Sequence, residues 1–82
     1  MEIQARPYSR FNSSVISDLL DFLTAYPDRS FLSNQIQTAL LVREIDIPAG
    51  QLRQILRSLY LIGMVERTET GHSYRYRIVL NR

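Results

Sequence analysis

Eighty-two residues and 9.6 kDa, 45% hydrophobic and 22% charged, limit this chain to one small domain around one modest core. It has no cysteine and a single histidine, His72, which excludes a disulfide framework, a thiolate nucleophile and any cysteine- or histidine-rich metal site. No apolar run approaches the ~20 residues that cross a bilayer and no basic-then-apolar leader opens the chain, so a cytoplasmic, membrane-free protein is expected.

Residues 1–12 carry no sustained period, Pro7 interrupts them, and their large apolar groups are Ile3, Tyr8 and Phe11. They read as an N-terminal arm ahead of a domain over residues 13–82. Ser13 and Ser14 are N-cap types. Val15, Ile16, Leu19, Leu20, Phe22, Leu23 and Tyr26 then recur at helical spacing, and Pro27 ends this first helix near Ala25. Pro27 to Ser30 is a turn cluster, and Phe31-Leu32 is long enough only for a two-residue strand. Ser33 is the expected N-cap of a second helix containing Ile36, Ala39, Leu40 and Arg43. Pro48 suits the first turn of a third helix over 48–62, whose apolar stripe is Leu52, Ile55, Leu56, Leu59 and Ile62. Gly63 ends it as a glycine able to take positive φ. The period then changes to two. Met64 to Arg67 and Tyr74 to Val79 flank the polar Thr68–Ser73 tip, a hairpin whose second strand sends Tyr74, Tyr76 and Ile78 one way and Arg75, Arg77 and Val79 the other.

All ten basic residues are arginine, against eight carboxylates, for a net charge of +2. GC-rich coding explains such a bias, and so does a need for bidentate contacts to phosphate and guanine that lysine cannot make. The charge is unevenly placed. Residues 13–46 carry −3, whereas residues 47–82 carry +4, from Arg53, Arg57, Arg67, Arg75, Arg77 and Arg82 against Glu66 and Glu69. That asymmetry points to an anionic partner meeting the second half.

The run Leu52-x-x-Ile55-Leu56-x-x-Leu59-x-x-x-Gly63-Met64-Val65 resembles the end of a recognition helix passing into the wing of a winged helix-turn-helix, as in the multiple-antibiotic-resistance and arsenical-resistance regulator families. Tyr74 to Ile78 is similar to the second wing strand of the same families. The resemblance covers residues ~13–80 and implies an α+β winged helix-turn-helix, three helices followed by a C-terminal β-hairpin wing over 64–79. One departure stands out. Ile36 to Leu52 is about five residues longer than a compact helix-turn-helix needs, so either the second helix is longer or 42–47 is an open loop. Glu44 and Asp46, in that stretch, would repel phosphates.

The implied function is sequence-specific binding of double-stranded DNA, as in a small transcriptional regulator or mobile-element accessory factor. Gln51, Arg53, Gln54, Arg57 and Ser58 lie off the apolar stripe with side chains suited to base edges in the major groove, and no carboxylate falls between Ala49 and Val65. An ordinary solvated helix face has the same residue types. Arg67, Arg75 and Arg77 are the wing's candidates for the backbone or minor groove, against the alternative of a plain exposed strand. Tyr76 is expected in the wing core and His72 at a solvated tip. A homodimer through the arm or first helix would present two recognition helices about 34 Å apart. The competing class is a winged-helix protein-interaction module without DNA binding. There is no Ser/His/Asp set, glycine-rich phosphate loop or carboxylate pair, so no enzyme, cofactor or metal is expected.

Overall fold

The computed structural model describes residues 13–80, in the order α1 (Ser13–Ala25), β1 (Phe31–Leu32), α2 (Ser33–Val42), α3 (Ala49–Leu61), β2 (Val65–Thr70) and β3 (Ser73–Ile78). The arm over 1–12 lies outside the described residues, as do Asn81 and Arg82. The chain is an α+β domain, with three helices against a three-stranded antiparallel sheet of order β1-β3-β2. Among the described residues no helix is long and apolar enough to cross a membrane.

The predicted periods place the core. Val15, Leu19 and Leu23 bury one stripe of α1, with Ile16, Leu20 and Phe22 packed at its margin. Ile36 and Leu40 do the same for α2, and Leu52, Ile55, Leu56 and Leu59 for α3. The sheet contributes Phe31, Val65, Tyr76 and Ile78. Each fully buried leucine or isoleucine contributes about 1.5–3 kcal/mol of transfer free energy. No polar or charged side chain is buried among the described residues, so the core is held by apolar packing.

Several local expectations are corrected. Ser33 is the first residue of α2, not its cap; the N-cap is Leu32, whose N–H is satisfied by Gln35 Oε1 at 2.8 Å. The third helix runs Ala49–Leu61 with Pro48 as N-cap, and Ile62, placed on the apolar stripe by periodicity, is the exposed C-cap. The polar Thr68–Ser73 stretch is mostly strand. Only Gly71 and His72 form the turn, with Gly71 at φ 61°, the arrangement of a type II′ hairpin.

The long connection resolves into a ten-residue α2 followed by an open loop, not a longer helix. Both α2 and α3 end in the same way. Past α2, Glu44 N–H bonds Leu41 O at 2.8 Å and Ile45 N–H bonds Leu40 O at 2.9 Å. Past α3, Gly63 N–H bonds Tyr60 O at 3.1 Å and Met64 N–H bonds Leu59 O at 2.9 Å. These are two Schellman motifs, with left-handed residues Glu44 (φ 65°) and Gly63 (φ 84°). The remaining loop is pinned at buried Ile47, whose carbonyl accepts from Gln37 Nε2 at 2.9 Å. Arg43 ties the end of α2 to Asp18 of α1 through the backbone carbonyl at 2.9 Å and the carboxylate at 3.5 Å.

Candidate nucleic-acid interface

With Leu52, Ile55, Leu56 and Leu59 in the core, the helical period sends Arg53, Arg57 and Tyr60 to one flank of α3. Gln51, Gln54 and Ser58 run along the other. Arg53, Gln54, Arg57 and Ser58 are exposed and Gln51 is half-buried. Arg53 and Arg57 have no carboxylate partner among the described residues.

The first flank faces the hairpin. Arg53 borders an open groove of about 480 Å³ between the start of α2 and the β2–β3 hairpin, walled by Ser33, Asn34, His72, Ser73 and Tyr74. Among the described residues no carboxylate lines it, and the first turn of α2 carries no acidic residue. Arginine, hydroxyls, amide, imidazole and the positive end of α2 thus converge on a space that favours negative charge.

Arg67 does not point freely into solvent. In the antiparallel register it sits opposite Tyr76, on the core-side face that also carries Val65. Its guanidinium lies 4.2 Å from the ring centroid of Tyr60 on α3 and 4.1 Å from that of Tyr74 on β3. Each such contact contributes about 0.5–2 kcal/mol, depending on how far it is desolvated. Burial pushes the Tyr76 phenol above its ordinary value, and Arg67, within hydrogen-bonding reach, pulls it partly back.

Arg75 and Arg77 belong to the opposite face of the sheet. Arg75 is half-buried and donates to the Ser30 carbonyl at 3.3 Å. Arg77 donates through Nε to Glu66 Oε2 at 2.6 Å, and the two also form an ion pair across the β2–β3 rung. Asp28 borders the same surface as Glu66 and Arg77, so charge there is balanced. The eight predicted residues therefore divide. Gln51, Arg53, Gln54, Arg57 and Ser58 share α3; Arg67 stands between α3 and the hairpin; Arg75 and Arg77 do not join them.

Sequence reasoning missed Tyr60 as the partner of Arg67 and the start of α2 as a groove wall. Parity offered a signal for Arg67: two residues after the core residue Val65, it must share Val65's face of the strand. No family model, curated protein or solved structure matches the chain.

Proposed function

We propose that this chain is a winged helix-turn-helix protein that binds double-stranded DNA sequence-specifically, as a small transcriptional regulator or mobile-element accessory factor. The observation that carries the reading is the carboxylate-free flank of α3, on which Arg53 and Arg57 are exposed and Arg53 borders the groove at the start of α2. The order helix, short strand, helix, helix, hairpin, with β1 paired to β3, supports the winged-helix assignment. In this reading Arg53, Gln54, Arg57 and Ser58 meet base edges, with Gln51 at the margin, and the groove takes a backbone phosphate. The wing contributes its α3 side and tip, and Arg75 and Arg77 serve the fold. A two-fold pair of chains would bind two half-sites one turn, about 34 Å, apart.

A protein-interaction role is favoured by a different observation. An open, mostly apolar groove of about 670 Å³ runs between Leu20 and Thr24 of α1 and the segments Gly63-Met64 and Ile78–Leu80. Leu61, Ile62 and Leu80 are each more than half exposed. This surface suits a homodimer contact through the first helix or an adaptor's partner.

A mobility-shift assay with a pool of random duplexes at low and moderate salt tests DNA binding. Retardation is expected, and the double variant Arg53→Ala/Arg57→Ala is expected to abolish it while remaining folded. No retardation at low salt, or full retention by the double variant, overturns the proposal. Recovery of one stoichiometric protein, insensitive to nuclease, supports the interaction module instead.

A further inference from the structure

The hairpin outgrows its support. β1 pairs with β3 only at Tyr76 and Arg75, so the rungs Glu69↔Tyr74 and Thr70↔Ser73 extend beyond the third strand as a bare two-stranded ribbon. Such a ribbon has little stability of its own, and its angle to the body is undefined unless something else sets it. The Arg67 side chain occupies the place where that angle is decided. It springs from β2, and its guanidinium is held between one ring from α3 and one from β3, at 4.2 and 4.1 Å. A single planar cation thus bridges three elements at the base of the ribbon.

We propose that Arg67 is a positioning residue: its guanidinium, stacked between Tyr60 and Tyr74, braces the wing against α3 and fixes the groove in which the proposed DNA backbone lies. This rests on the DNA-binding reading for its consequence, though not for the brace itself. Arg67 then acts without touching phosphate. Tyr60 and Tyr74, at 37% and 41% exposure, are kept at the surface because they form the two sides of the stack. The requirement is for a flat, delocalised cation, so lysine does not substitute, whereas phenylalanine in place of tyrosine retains the ring face.

The variants Arg67→Lys, Arg67→Gln, Tyr60→Leu and Tyr60→Phe separate the brace from a direct contact. Backbone ¹⁵N order parameters for residues 69–74 of the free protein test the brace with no DNA present. They are expected to fall from about 0.85 to below about 0.6 in Arg67→Lys, Arg67→Gln and Tyr60→Leu, and to stay high in Tyr60→Phe. Unchanged order in Arg67→Lys and Tyr60→Leu overturns the brace, whether or not the chain binds DNA. Titrations of a random duplex against salt test the consequence. Arg67→Lys is expected to weaken binding about tenfold with an unchanged slope of log affinity against log salt. Near-normal affinity in Arg67→Lys, with the slope about 0.9 shallower in Arg67→Gln, would identify a direct phosphate contact and overturn the positioning role. Failure of the wild type to bind any duplex overturns the DNA reading and leaves the order parameters to decide the brace.

Discussion

Glu44 occupies a backbone position better suited to glycine, and the energetic consequence can be worked out from the twin motif at the end of α3. Both positions close a Schellman motif at left-handed φ, 65° for Glu44 and 84° for Gly63. The left-handed region costs an L-residue about 1–2 kcal/mol, because its Cβ crowds the following carbonyl. Glycine removes that cost but loses about 0.4–1 kcal/mol through a freer unfolded chain. The Glu44 carboxylate also stands at the negative end of α2, an unfavourable placement worth about 0.3–1 kcal/mol. Summing these, Glu44→Gly is expected to stabilise the domain by about 1 kcal/mol, which raises Tm by about 4–8 °C for a domain of this size. Thermal and urea unfolding measure it. Glu44→Gln serves as a control, since it removes the charge and keeps the strained backbone, and so shows only the dipole share. Gly63→Ala is the mirror experiment. A Cβ there meets nothing within 4 Å, so its expected loss of about 1 kcal/mol is backbone strain less the gain from a stiffer unfolded chain, with no steric share. If Glu44→Gly left Tm unchanged or lowered it while Gly63→Ala destabilised, strain relief would be refuted as the governing effect at Glu44.

Two further outcomes follow from the way the charges and phenols are partnered. Arg77→Ala is expected to change stability by no more than about 0.5 kcal/mol, because its pair with Glu66 is half-exposed and cross-strand. It should also leave DNA affinity within about twofold, whereas Arg53→Ala weakens it tenfold or more; equal losses in parallel titrations would show that Arg77 reaches the nucleic acid. Alkaline stability isolates Tyr76, whose phenol burial holds above the ordinary value near 10. A raised folded pKa contributes stability that is fully present below pH ~10 and lost as pH rises through the folded value. The chain has no lysine to add to this effect, and Tyr76→Phe should flatten the decline between pH 9 and 11 in urea unfolding. An equal decline in that variant would place the effect on other groups.

Where period and chemistry coincide, the sequence was legible. The stripe Leu52, Ile55, Leu56, Leu59 fell into the core as spaced, Gly63 took positive φ, and Val65 opened the first hairpin strand from a buried position. The misreadings have local and non-local causes. Ser33 is a strong cap type, yet the N-cap is Leu32, which makes no side-chain cap bond, and its N–H donates to Gln35 Oε1 three residues on. Thr68, Glu69 and Thr70 are polar enough to suggest a loop, but β-branched threonines and a two-residue turn at Gly71-His72 extend the ladder. Ile62 matched the helical period but arrived one residue after the helix had ended. The partners of the arginines were the hardest to foresee. Ser30 and Arg75 meet across the sheet from positions far apart in the chain, and no spacing rule links Tyr60, Arg67 and Tyr74. For the arginines, composition showed where in the chain they concentrate but not which of them the fold brings together.

That regrouping changes the charge that bears on function. The +4 of residues 47–82 includes Arg75 and Arg77, which lie on a face balanced by Glu66 and Asp28. What remains on the α3 side is Arg53 and Arg57, with Arg67 in its stack and Glu69 opposite Tyr74 on the same face. In the proposed DNA reading these two cations set a ceiling of about two neutralised phosphates per chain, so affinity falls by at most about tenfold between 50 and 200 mM salt. Two chains on adjacent half-sites double the slope, so the same change in salt costs on the order of a hundredfold. Arg6 and Arg10 of the N-terminal arm, Arg29 and Arg82 are further basic groups able to raise either figure, and deleting residues 1–12 measures the arm's share. In the same proposal pairing of two chains adds the second half-site, and the groove beside Leu20 and Met64, with no charged residue among its described lining, lets two copies meet without bringing like charges together.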